Sequence, residues 1–291
     1  MSVASSTGLR PTSYPLAVGS GVTRVIEAGA GDRIMICLHG IGSHAGWWRR
    51  NLQQLAAQGF RVIVPDLPGH GFAAASPGWP LTIDGYAEFV LQLASTLAVE
   101  RPVVLIGHSL GGHVASAAAL RKPDLVSHLI LVAPTGITAM GDQRLRATQQ
   151  RQSDLSRGAI ASKLRFAIAN PELVTEDWID EDFRINNGPG AVRTLRAVAA
   201  YLGSSLDDHV LGAELAEFAR RVPTLLVWGD ADRSVPIDVG REAHELVKAA
   251  RFAVMHGAAH VPHYELPTDF AQVVMAFLAN AELEAEHAHF E

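Results

Sequence analysis

Ser109 stands in Gly107-His108-Ser109-Leu110-Gly111-Gly112, between the apolar run Val103 to Ile106 and the alanine-rich stretch Val114 to Leu120. The first reads as a strand and the second as a helix, which puts a serine on a strand-to-helix corner. So tight a turn brings two backbones together, and Gly107 and Gly111 remove the Cβ atoms that would clash. The hydroxyl is lifted into a site beside the next helix's N-terminus, whose unpaired N–H groups and positive dipole end favour an oxyanion. A serine hydroxyl is a poor nucleophile at neutral pH and needs an imidazole to take its proton and a carboxylate to orient that imidazole. Two later loops carry such groups. Gly229 to Pro236 follows the apolar run Leu225 to Trp228 and contains Asp230 and Asp232; Gly257 to Pro267 follows Phe252 to Met255 and contains His260 and His263.

Positioning these groups requires a sheet whose strands end at a common edge. Apolar runs at Ile34 to Leu38, Arg61 to Val64, Val103 to Ile106, Leu129 to Val132, Leu225 to Trp228 and Phe252 to Met255 alternate with helical segments. Near-continuous apolar strands belong to a parallel sheet covered on both faces, and repeated βα units select a doubly wound α/β architecture. Helices are expected over Trp47 to Gln58, Ile83 to Ala98, Leu110 to Lys122, Val239 to Lys248 and Asp269 to Leu283, with Thr82 as an N-cap and Pro267 opening the last one. Thr23 to Glu27 begins an antiparallel edge. The alternation lapses over 135–216, where helical patterns surround the turn-like Asn186-Asn187-Gly188-Pro189-Gly190. An insertion there would sit above the strands' carboxyl ends, as a lid over a ligand site.

Four motifs in order make the chain resemble the α/β-hydrolase family, in its serine-nucleophile branch, over residues 20–280. They are His39-Gly40, Asp66-Leu67-Pro68-Gly69-His70-Gly71, the Ser109 corner, and the acid and histidine loops. The resemblance implies a mostly parallel eight-stranded sheet with a helical lid inserted after the sixth strand. The core would be 1–134 and 217–291, and the lid 135–216. It further implies Ser109 as nucleophile, His260 as base and Asp232 as the acid, since Arg233 to Pro236 follow Asp232 and Glu265 and Pro267 follow His260 at the family's spacing. Asp230 is then a turn-capping carboxylate, His263 a lid-facing or surface residue, and His70 and His108 packing or hydrogen-bonding neighbours. The oxyanion hole would join the amides of Leu110 and Ile41, with Gly42 as the competing donor to Ile41. Trp47 and Trp48 read as core at a helix start.

The implied reaction is hydrolysis of a small carboxylic ester through an acyl-serine, with no cofactor and no metal. Carbon–carbon hydrolysis of the meta-cleavage type is the alternative, since Pro171 to Glu176 is similar to that subfamily's lid. His108 before the serine, the loop Ile41-Gly42-Ser43-His44 and an uncertain lid arginine, Arg184, depart from its pattern. Lactone hydrolysis stays open, as does a ligand-binding receptor on the same scaffold. Ser109 disfavours a dehalogenase or epoxide hydrolase, since those members use an aspartate nucleophile.

Composition agrees with an enzyme of small molecules. A formal net charge of −6 with no basic run argues against nucleic acid or an anionic membrane as partner. The expected partner is a largely apolar small substrate; a second copy forming a homodimer is compatible. Cys37 stands alone in an apolar run and reads as buried. No stretch approaches the ~20 apolar residues of a membrane span, and the first twenty residues do not resemble a secretory signal, which makes the cytoplasm the expected location. The tail from Glu282 to Glu291 reads as a frayed terminus.

Overall fold

The computed structural model describes residues 10–73 and 79–291; the expectation for the extreme N-terminus, residues 1–9, lies outside them. The chain begins with β1 (Thr12–Val18), β2 (Gly21–Ala28) and β3 (Arg33–Leu38), then α1 (Leu52–Ala57), β4 (Phe60–Pro65), α2 (Ile83–Thr96), β5 (Val103–His108), α3 (Leu110–Arg121) and β6 (Val126–Val132). Five helices follow before the next strand: α4 (Asp142–Ser153), α5 (Arg157–Ala167), α6 (Glu176–Asn186), α7 (Ala191–Ser205) and α8 (Gly212–Ala219). The sheet then resumes with β7 (Thr224–Gly229), α9 (Ile237–Leu246), β8 (Arg251–Met255), α10 (Pro262–Glu265), α11 (Pro267–Ala279) and β9 (Ala288–Phe290).

The strands form one sheet in the order β1-β2-β4-β3-β5-β6-β7-β8-β9. Pairs from β4 through β8 are parallel, while β1, β2 and β9 join antiparallel at the two sides. Alternate residues of the central strands feed two separate cores. Ile36, Leu38, Leu105, Leu129, Leu131, Leu226 and Trp228 pack on the face covered by α2, α3, α8 and α9. Met35, Cys37, Val104, Ile106, Ile130, Val132, Leu225 and Val227 pack on the face covered by α1 and α11. This two-sided burial is why those strands read as unbroken apolar runs; each such side chain removed from water contributes roughly 1.5–3 kcal/mol. Cys37 is fully buried, and burial pushes its thiol pKa up, away from reactivity.

Four expectations need correction. The described sheet has nine strands, not eight. Thr23 to Glu27 lies inside β2 but is not an edge, because β1 pairs outside it over Thr12↔Glu27 to Val18↔Gly21. Pro15 in β1 is tolerated on that outer position, where a missing N–H costs the ladder nothing. The tail is not frayed at Ala288–Phe290, which forms β9 against β8, with His289 Nδ1 2.9 Å from His256 Nε2. The expected helix Trp47 to Gln58 is divided into a 3-10 turn, Ala45–Trp48, and α1, because the His44 ring accepts from Gly46 N and starts a separate turn. Thr82 does cap α2, accepting from Gly85 N at 3.2 Å.

Candidate active site

Ser109 sits between β5 and α3 at φ 53°, ψ −118°, a region that costs a non-glycine residue of order 1–3 kcal/mol. Its surroundings hold it there. Ser109 N donates to Val132 O at 2.9 Å, and Ser109 O accepts from Gly112 N at 2.9 Å and His113 N at 3.2 Å. A Cβ on Gly107 would lie 2.2 Å from Gly111 O, and one on Gly111 would lie 2.5 Å from His39 O. Both glycines are therefore demanded by close approach of backbone to backbone.

Asp232 follows β7 and is buried. Its Oδ1 accepts from Ser234 N at 2.7 Å and Val235 N at 2.9 Å, while Oδ2 lies 2.8 Å from His260 Nδ1. A carboxylate only accepts, so Nδ1 carries the proton, and in the neutral ring Nε2 keeps its lone pair. Asp230 turns elsewhere, to His256 Nδ1 at 2.9 Å and Gly257 N at 2.8 Å. Ala231 N donates to Ala258 O and Asp230 N to Met255 O, which ties the acid loop to the histidine loop. Glu265 completes that loop by accepting from Ala259 N and Ala169 N, and burial raises its pKa.

Ser109 and His260 line one cleft, with Ile41, Leu110, Trp47 and Met140 among its apolar walls. Among the described residues Ser109 Oγ has no hydrogen-bond partner, so the two side chains share the cleft without a formed hydrogen bond; such bonds often tighten only when substrate is present. The amides of Ile41 and Leu110 likewise donate to no other described protein group. Leu110 is the first residue of α3, where an unsatisfied N–H is expected. Gly42, the competing donor, does not line the cleft, although its neighbours Ile41 and Ser43 do.

The nearby histidines divide by environment. His108 Nε2 lies 2.8 Å from His260 O and His70 Nδ1 3.2 Å from Pro68 O, as hydrogen-bonding neighbours. His39 bridges two motifs, with Nδ1 2.8 Å from Gly40 O and Nε2 accepting from Leu67 N at 2.9 Å. His263 is neither lid-facing nor on the surface: it is fully buried and stacks on Trp48 at 4.0 Å, because α10 turns it into the core. Trp48 is fully buried too, as expected, but Trp47 also lines the cleft and donates Nε1 to Asp182.

Burial lowers the pKa of His39, His70 and His263 to about 3 and that of His113 to about 4. In the unfolded chain these rings titrate near 6.5. Between pH ~6.5 and ~3 the unfolded state therefore binds more protons, and stability falls as the pH falls. Each ring forfeits roughly 2 kcal/mol by pH 5. Urea midpoints should drop steeply from pH 7 to pH 5, and His263→Phe should make that dependence shallower; equal midpoints at both pH values would contradict neutral burial.

Several residues reach the site that no sequence signal marks. Lys163 and Arg151 line the cleft from the helices between β6 and β7, and Asn186 and Asp182 contact the loop after β3. Arg184 lines a different depression, with Gly69, Gly71 and Thr194.

A family model described as the alpha/beta hydrolase family matches residues 35–273. A 2-hydroxy-6-oxononadienedioate/2-hydroxy-6-oxononatrienedioate hydrolase of Paraburkholderia phymatum is 28% identical over 263 residues, covering 87% of this chain and 89% of that protein. Among solved structures, a bacterial membrane phospholipase A superposes with TM-score 0.77 at 25% identity, covering 93% of this chain and 86% of the other. The 2-hydroxy-6-oxo-6-phenylhexa-2,4-dienoate hydrolase of a Rhodococcus species superposes with TM-score 0.83 at 20% identity, covering 93% and 99%. That second likeness is one of fold. No helix among the described residues is long and apolar enough to cross a membrane. With the match spanning most of its length, from β3 to α11, the chain belongs to the alpha/beta hydrolase family.

Proposed function

We propose that this protein is a serine hydrolase that cleaves a small carboxylic ester through an acyl-serine intermediate. The observation that carries the reading is the shared cleft: a strained serine and the free Nε2 side of an Asp232-held imidazole line the same walls. In this mechanism Ser109 Oγ attacks the ester carbonyl carbon while His260 Nε2 takes its proton. The Leu110 and Ile41 amides receive the oxyanion, where each aimed donor is worth roughly 3 kcal/mol in the transition state. Collapse expels the alcohol, protonated by His260, and a water activated by the same ring then releases the acid. Residues 135–216 form the lid of this cleft in the proposal, and the apolar side chains near Ser109 favour a largely apolar acyl group.

A fluorophosphonate probe tests the nucleophile directly. Peptide mass spectrometry is expected to find one adduct, on Ser109, that forms at least about 100-fold more slowly in His260→Ala. An adduct elsewhere, or equal labelling of both proteins, would overturn the assignment.

A second reading, carbon–carbon hydrolysis, is favoured by the relative's dioate substrate together with one feature of the cleft. Arg151 lines it, stacked over Phe166 at 4.2 Å, and among the described residues forms no ion pair with a carboxylate. A dienoate carboxylate would complete it. Turnover of a vinylogous diketone bearing a carboxylate, lost in Arg151→Met while a neutral aryl ester is still cleaved, would select this reading over the first.

A further inference from the structure

We infer that Lys163 and Asn186 are positioning residues that set the oxyanion-binding loop by clamping one carbonyl, that of Gly42. This inference rests on the serine-hydrolase reading above. Lys163 Nζ on α5 and Asn186 Nδ2 at the end of α6 donate to Gly42 O at 3.3 Å and 3.1 Å. Both side chains are buried, at 7% and 1% exposure, although they come from positions 121 and 144 residues away in the chain. A buried lysine is costly, and burial lowers its pKa; Asp182 pulls it back up without forming an ion pair with it. A lysine buried at such a cost and turned onto a backbone carbonyl fixes that carbonyl in place.

Gly42 is the residue in this loop with the freedom to move. It sits at φ +62°, where the lack of a Cβ leaves its two flanking peptide planes free to rotate between several wells. Rotation on its carbonyl side would turn the Gly42–Ser43 peptide plane and displace Ser43, whose Oγ holds Gly40 O, the carbonyl that shares a peptide plane with the Ile41 amide. The rest of the loop is already tied. Gly40 O accepts from Ser43 Oγ at 2.8 Å, His44 Nε2 lies 3.1 Å from Asp182 Oδ1, and Trp47 Nε1 donates to the same oxygen at 3.3 Å. The Lys163–Asn186 pair removes the remaining freedom. Docking of the helices between β6 and β7 thereby becomes a condition for an aimed oxyanion hole, and not only a cover over it.

The test uses Lys163→Met, Asn186→Leu and the double variant on a short-chain aryl ester. Active sites are counted first with a fluorophosphonate taken to completion, so that misfolded protein is excluded from the rate. Turnover per titrated site is expected to fall about 10-fold in each single variant and about 100-fold in the double, with KM changing less than about threefold. Affinity for an aryl boronic acid, which forms a tetrahedral adduct on the serine, should fall in step with turnover. Affinity for the carboxylic acid product should not. A role in stability alone would lower the titrated fraction and leave turnover per site intact; that outcome, or loss confined to KM, overturns the proposal. Failure of the underlying reading is separable, because turnover surviving in Ser109→Ala would remove the nucleophile itself whatever the clamp variants do.

Discussion

Ser109→Ala is expected to cut kcat/KM for a short-chain aryl ester by about 10⁴- to 10⁶-fold, the range for deleting a nucleophile whose surroundings remain intact. The fold should hardly notice. Ser109 Oγ has no hydrogen-bond partner among the described residues, and alanine meets the same φ of 53° that serine already tolerates. The change in stability should stay within about 1 kcal/mol. Ser109→Gly is expected to be equally inactive yet more stable than Ser109→Ala, since glycine alone adopts this backbone without strain. Steady-state rates and thermal midpoints on the three proteins check both halves. Retained turnover in Ser109→Ala would remove the nucleophile; a large stability loss would mean that the hydroxyl serves the fold instead.

The acid loop supplies the second large effect, through two aspartates two residues apart. Asp232→Asn should lower kcat/KM by about 10³- to 10⁴-fold, because an amide in that place can donate to Nδ1 and turn the imidazole's lone pair away from the serine. Asp230→Asn should stay within about twofold of the parent: its contacts are His256 and the Gly257 amide, on a half-exposed turn outside the cleft. Burial separates the pair as well, with Asp232 at 5% exposure and Asp230 exposed. Comparable losses in both variants would show that the loop's conformation matters and not the one carboxylate. Inactivity of Asp230→Asn alone would exchange their roles.

Local chemistry explains why some elements could be read before folding and others could not. The Ser109 corner is local: strand, turn glycines and helix lie within about twenty residues, and the clash that excludes a Cβ at Gly107 involves Gly111 four residues on. The central strands are legible because burial on both faces leaves no polar alternation to confuse them with loops. β1 was not legible, since its exposed face carries Ser13, Pro15 and Ala17 and reads as a linker. β9 is only three residues, Ala288 to Phe290, too short to show a period, and only pairing with β8 makes it a strand. His263 shows the same limit, because nothing in a histidine's neighbours in sequence states that Trp48 will lie against its ring.

Ordering of the motifs along the polypeptide was enough for the sheet class, the corner serine, the candidate acid and base loops and a non-strand insertion before β7. Each of these follows from short-range backbone sterics or from the period of apolar residues. Which groups the insertion delivers was decided only by tertiary packing. Lys163, Asn186 and Asp182 meet the loop after β3 across more than a hundred residues, and no local propensity encodes a contact whose energy exists only once two distant surfaces have excluded water between them.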